Sequence, residues 1–146
     1  MRLPDLAATK DLGQRLALEW LALPDIKPIM LLVGNLGAGK TSLVQGIARG
    51  LKIDEPITSP TFALSQHYQG LEGNLVHLDL YRLEKPSAAD ELFSQEEEEA
   101  SPVGALMAVE WPERLGLDLA EAWHLELRHQ DEGRLAQLTS PRKAST

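Results

Sequence analysis

The sequence contains no cysteine. Disulfides and thiolate metal sites are therefore excluded. It also lacks any run approaching the ~20 apolar residues that a membrane-spanning helix needs. The opening Met1-Arg2-Leu3-Pro4-Asp5 has no hydrophobic signal region, and the expectation is a cytosolic protein with no membrane association. Positive charge is scarce, with 14 Lys and Arg against 22 Asp and Glu and a net charge of −8. Residues 84–99 carry seven of those acids and one base, which leaves only about −2 for the rest of the chain. Neither part forms a basic platform, so tight autonomous nucleic-acid binding is not expected. No Ser/His/Asp set with supporting context and no His/Glu zinc spacing occurs. Internal repeats and a composition break are also missing. With 146 residues, the expectation is a single domain over 1–140, able to bury roughly 70% of its unfolded surface, with residues 141–146 as a disordered tail.

What the chain does have is the run Gly34-Asn35-Leu36-Gly37-Ala38-Gly39-Lys40-Thr41. This is a complete G-x-x-x-x-G-K-[ST] phosphate-binding loop. Its glycines let the backbone wrap closely enough for amide N–H groups to face phosphate oxygens. Lys40 can reach the β/γ-phosphates and the Thr41 hydroxyl can sit on Mg²⁺. The helix that follows adds its positive N-terminal end. The surroundings agree. Pro28 to Val33 is a short apolar run, as expected of a buried parallel strand. Leu43, Val44, Ile47, Ala48 and Leu51 then repeat on one helical face.

Elsewhere, Leu12, Leu16, Trp20 and Leu23 predict a first helix over 8–23, with Thr9 near its start as a possible cap. Residues 62–68 and 75–81 alternate across the turn 69–74 and predict an antiparallel hairpin. Residues 86–101 read as a short helix followed by an acidic loop at Glu96-Glu97-Glu98-Glu99. Ala105 to Glu110 is a further buried strand. Trp123 to Arg128 and Leu135 to Leu138 flank Asp131-Glu132-Gly133 as a closing hairpin. The fold class is therefore α/β: a phosphate-loop NTPase-like three-layer sandwich, with a mixed central sheet, antiparallel hairpins and helices on both faces.

Phosphoryl transfer requires held phosphates, metal to neutralise charge, and an oriented attacking group. Lys40 and Thr41 serve the first two needs. Two carboxylates end apolar strands, Asp79 after Leu75-Val76-His77-Leu78 and Glu110 after Leu106-Met107-Ala108-Val109. Ligands of open α/β sheets bind at the carboxyl ends of strands. One acid can thus hold metal while the other orients water or acts as a base, and the sequence does not divide the roles. Thr61, in the loop between the phosphate-loop helix and the Asp79 strand, is a candidate γ-phosphate sensor. His77 fits a hydrogen-bonded structural histidine. Arg82 could pair with an acid or reach phosphate. Trp111 fits the core better than a base-stacking role.

Four motifs in order carry a resemblance: Gly34 to Ser42, Ser59-Pro60-Thr61-Phe62, His77-Leu78-Asp79-Leu80-Tyr81-Arg82, and Glu110-Trp111-Pro112-Glu113-Arg114. Together with Ala8-Thr9-Lys10-Asp11-Leu12-Gly13 they resemble the TsaE family, the small ATPases of bacterial tRNA threonylcarbamoyladenosine biosynthesis. The match runs from about Leu3 to Leu138. The resemblance implies ATP/ADP and Mg²⁺ as cofactors and weak intrinsic ATPase activity. It also implies TsaB and TsaD as partners, with tRNA met mainly through that complex and ATP hydrolysis serving repeated turnover. By position it implies Leu36, Gly37, Ala38, Gly39, Lys40, Thr41 and Ser42 at the phosphates. Thr41 and Glu110 would be Mg²⁺ ligands with Asp79 close by, Thr61 would be the switch-like residue, and Thr9 and Arg134 would approach the nucleotide. Two features depart from the family pattern. Asn35 stands where the family usually has an acid, and the four glutamates replace a Gly-containing helical stretch. Two other readings remain: a small-molecule kinase, against which the acidic insertion counts, and a nucleotide-dependent binding module without meaningful turnover.

Overall fold

Four parallel strands form the middle of the protein, and their alternating side chains decide where everything else packs. The structure is a computed structural model that describes residues 1–23, 29–34, 39–57, 64–119, 121–130 and 133–141. Among these residues the elements run β1 (Arg2–Leu3), α1 (Leu6–Leu21), β2 (Ile29–Val33), α2 (Lys40–Gly50), β3 (Ser65–Gln69), β4 (Asn74–Asp79), α3 (Pro86–Val103), β5 (Leu106–Glu110), β6 (Trp123–Gln130) and β7 (Gly133–Thr139). They build one seven-stranded sheet in the order β1-β7-β6-β2-β5-β4-β3. The β6-β2-β5-β4 block is parallel, and the flanking pairs β3·β4, β6·β7 and β1·β7 are antiparallel.

Successive side chains of a strand point to opposite faces. Met30, Leu32, Leu75, Leu106 and Ala108 accordingly meet Leu12, Leu16, Trp20, Leu43 and Ile47 of α1 and α2 on one face. Leu31, Val76, Leu78, Met107 and Val109 meet Ala89, Phe93 and Ala100 of α3 on the other. This is the expected three-layer α/β arrangement with helices on both faces. Helices α1 and α2 approach to backbone contact: a Cβ placed on Gly46 would lie 2.0 Å from the Lys10 carbonyl oxygen, and one on Gly13 would lie 2.2 Å from that of Leu43. Only glycine fits such a crossing.

Three sequence expectations change. Helix α1 begins at Leu6 and is capped by Asp5, whose carboxylate accepts from the Ala8 N–H at 2.8 Å. Thr9 lies inside the first turns, fully buried, with its hydroxyl donating to the Asp5 carbonyl at 3.3 Å. The acidic loop is helix: α3 continues through all four glutamates to Val103 and stops at Gly104, which takes φ +64°. Glutamate is a good helix former, and Ala89, Phe93 and Ala100 bury a stripe that holds the helix down. Glu96 also ties it to the sheet edge, accepting from the Ser65 hydroxyl at 3.0 Å and meeting His67 Nε2 at 2.5 Å. Strand β1, not anticipated from the sequence, pairs Arg2 and Leu3 with Leu135 and Arg134 of β7. Among the described residues no helix is long and apolar enough to cross a membrane. The tail expected to be disordered lies, from residue 142, outside the described residues.

Candidate functional site

The alternation that builds the core also delivers the polar residues. Leu75, His77 and Asp79 share one face of β4, and Leu106, Ala108 and Glu110 share the same face of β5. The register sets Asp79 beside Glu110 and His77 beside Ala108. Leu32, one residue before the end of β2, is also a partner of Glu110. The carboxyl ends of β2, β4 and β5 therefore meet, and β2 leads out to Gly34 at the mouth of the phosphate loop.

Lys40 opens α2 from the other side of the loop. It is only 6% exposed and Glu110 only 4%, so both charges lie almost wholly out of water. Lys40 Nζ sits 3.9 Å from Glu110 Oε1 and 4.6 Å from the centre of the Trp111 ring. A buried charge is tolerated only when it is paired, and here each supplies the other. Glu110 Oε2 is bonded at 2.6 Å to Nε2 of His77, which is fully buried. Asp79 is half-buried and accepts from the Tyr81 N–H at 3.0 Å. Burial raises its carboxyl above the ordinary carboxylate range. The Tyr81 N–H works against that rise, the Glu110 charge adds to it, and His77 and Lys40 oppose it.

Trp111 follows Glu110 with φ 60°, a left-handed conformation rare for a bulky side chain. It stacks tilted on Tyr81 at 4.9 Å, and the Arg114 guanidinium lies 5.9 Å from the same ring. Trp111 thus roofs the lysine while packing, partly buried, against the core on the α3 side of the sheet. Arg82 is exposed beyond β4. A cavity of about 340 Å³ opens alongside, lined among others by Val33, Gly34, Trp111, Glu113 and Arg128.

The other expected site residues divide into two groups. A Cβ placed on Gly39, whose φ is +100°, would lie 3.6 Å from Thr9 Cγ2 and 3.7 Å from Arg134 Nε. Thr9 and Arg134, distant in sequence, therefore flank the loop's last glycine. Thr41 and Ser42 occupy the first turn of α2. Leu36, Gly37, Ala38 and Thr61 lie outside the described residues, as does Asn35.

A model of the family described as threonylcarbamoyl adenosine biosynthesis protein TsaE matches residues 3–137. The chain belongs to the TsaE family. A TsaE protein of Synechocystis, named for tRNA threonylcarbamoyladenosine biosynthesis, is 50% identical over 115 residues, covering 77% of this chain and 69% of its own. One from Mycobacterium tuberculosis is 39% identical over 131 residues, covering 86% and 75%. The fold is similar to a crystal structure of Bacillus subtilis YdiB, with a TM-score of 0.68 at 24% identity over 97% of this chain and 84% of that one. That likeness speaks to fold alone.

Within this TsaE chain, His77 is hydrogen-bonded as the sequence suggests, with the buried Glu110 as its partner. Arg114, not expected at the site from the sequence, joins the Trp111–Tyr81 stack. The signal for His77 was its even spacing from Asp79, which fixes the shared face. The partner strand's register is needed to know which carboxylate it meets.

Proposed function

We propose that this chain is the Mg²⁺-dependent ATPase subunit of the machinery that forms threonylcarbamoyladenosine on tRNA, and that it acts as one phosphate-loop domain over residues 1–140. The observation that carries the proposal is the buried pair Lys40–Glu110, which stands where the loop-bearing strand, the loop-following helix and the acid-ended strands converge.

The donor set suits Mg²⁺. The metal prefers oxygen ligands, typically one or two carboxylates together with substrate phosphates. Asp79 and Glu110 sit side by side, and the Glu110 charge disfavours a charge on Asp79. A hard cation held by these carboxylates would relieve that repulsion. The chemistry that Mg²⁺ supplies when bound is neutralisation of charge on the β- and γ-phosphate oxygens.

The protein's residues do the rest. Without nucleotide, Lys40 is held on Glu110 beneath Trp111. An incoming triphosphate would compete for Lys40, and the exchange would free Glu110 Oε1, which could then serve as a metal ligand. Thr41 would supply a hydroxyl ligand to that ion, and Ser42 with the loop amides would bind phosphate oxygens. Thr9 and Arg134 flank the phosphate-loop end at Gly39, where they can contact the nucleotide. Asp79, beside Glu110 at the end of β4, would accept a hydrogen bond from the attacking water. Thr61 senses the γ-phosphate. The acidic surface of α3 suits a division of labour in which the partners, TsaB and TsaD, hold tRNA and this chain supplies a nucleotide-driven step in repeated turnover.

Reconstitution tests this reading. Combined with TsaB, TsaD, tRNA and threonylcarbamoyl-adenylate, the chain is expected to support many modifications per complex in ATP and only about one without hydrolysable nucleotide. Equal product in both conditions refutes the ATPase role.

A further inference from the structure

We infer that His77 is a positioning residue for the metal-facing carboxylate: it pins Glu110 Oε2 so that Oε1 alone is presented to the nucleotide site. The inference rests on the Mg²⁺–nucleotide reading above and assigns a role to a buried group that the reading does not use.

The geometry is specific. His77 is 0% exposed and Glu110 4%, so neither side chain can swing into water for another partner. They belong to neighbouring parallel strands, and Glu110 lies two positions beyond Ala108, the residue paired with His77. The Nε2–Oε2 distance is 2.6 Å. Oε1 of the same carboxylate faces Lys40 at 3.9 Å. One oxygen is thus committed to the sheet side and the other to the loop side.

The bonding pattern also fixes the imidazole's direction. A carboxylate only accepts, so Nε2 carries the proton. Nδ1 is buried with no hydrogen-bond partner among the described residues, and in the neutral ring it keeps only a lone pair. The unsatisfied Nδ1 marks a cost accepted for the sake of the Nε2 bond: a leucine would fill this apolar strand position without it. A carboxylate attached by three rotatable bonds to a strand end would otherwise sample several rotamers, or offer both oxygens to Lys40. Hydrogen bonds that orient a ligating carboxylate typically change metal affinity by about 10–100-fold when lost.

The test uses the full chain as wild type, His77→Leu and His77→Gln, with binding of a fluorescent ADP analogue titrated against Mg²⁺ and repeated in chelator. Glutamine places its amide nitrogen near the position of Nε2 and can donate the same bond, whereas leucine cannot. The expected result is a rise of about 10-fold or more in the Mg²⁺ concentration at half-saturation for His77→Leu. Its metal-free ADP affinity stays within about twofold of wild type, and His77→Gln recovers most of the loss. A melting curve of each ligand-free variant accompanies the titration. The inference is overturned if His77→Leu keeps the wild-type Mg²⁺ midpoint, if metal-free affinity falls as far as metal-dependent affinity, or if glutamine rescues no better than leucine. A wild-type chain whose ADP binding ignores Mg²⁺ sinks the metal reading itself, and this inference with it. That outcome is separate, because it is read without any variant.

Discussion

Replacing Gly46 with alanine drives a methyl group into the main chain of α1. The new Cβ would stand 2.0 Å from the Lys10 carbonyl oxygen, where ordinary contact begins at 3.4 Å. The shortfall is therefore about 1.4 Å, and the obstructing atom is backbone, not the end of a flexible side chain. Relief requires α1 and α2 to part, which loosens the packing of Leu12, Leu16, Leu43 and Ile47 between them. Overpacking costs about 1–3 kcal/mol, and a clash against main chain belongs at the upper end. Alanine returns about 1 kcal/mol of helix propensity. The net expectation is a loss of about 2 kcal/mol, or a fall in Tm of roughly 5–8 °C for a chain of this size. Because α1 carries Thr9 to the side of Gly39 and α2 begins with Lys40, nucleotide affinity is expected to fall as well. Thermal and urea melts followed by circular dichroism read the first effect, and ADP titration reads the second. Gly104→Ala is the control: its φ is +64° but no atom lies within 4 Å of the added Cβ, so it carries only the left-handed strain of about 1 kcal/mol and leaves ADP affinity unchanged. A Gly46→Ala protein as stable as wild type refutes the close-packed crossing.

Two further substitutions test other parts of the structure. Phe93→Ala empties a fully buried position between α3 and the sheet and is expected to cost about 3–5 kcal/mol, seen as a Tm lower by roughly 8–20 °C; a change under about 1 kcal/mol would mean that α3 does not pack there. For Asp79→Asn the sign follows from the raised carboxyl. The ligand-free fold holds the Asp79 proton more tightly than the unfolded chain, whose value is near 3.8, so wild-type stability falls as pH rises from there through the folded value. The asparagine variant escapes this penalty. Without nucleotide it should melt above wild type at neutral pH, with the gap closing on acidification, and a wild type more stable at neutral pH contradicts the assignment.

Much of the site was legible because its residues obey local rules. The phosphate loop announces itself by spacing, and Asp79 and Glu110 by ending apolar strands. Their meeting was not legible, since adjacency of β4 and β5 and the pairing of Asp79 with Glu110 are properties of the sheet. The same holds for Thr9 and Arg134, which reach Gly39 only because α1 crosses α2 and β7 lies two strands from β2. Helix α3 was misread for a different reason. Four consecutive glutamates repel one another, but the buried stripe of Ala89, Phe93 and Ala100 outweighs that repulsion. Asp5 and Thr9 are both good capping types by sequence, and only the backbone course places Asp5 at the cap and Thr9 inside the helix.

The most direct test of the central claim is calorimetric titration of ATP with Mg²⁺ into wild type and into Lys40→Met, a substitution that keeps the buried stem and removes the charge. Wild type is expected to bind one nucleotide per chain, and the variant to lose about tenfold or more in affinity, in line with the roughly 1.5–3 kcal/mol of a hydrogen bond to a charged group. Failure of wild type to bind, or undiminished binding by Lys40→Met, contradicts it.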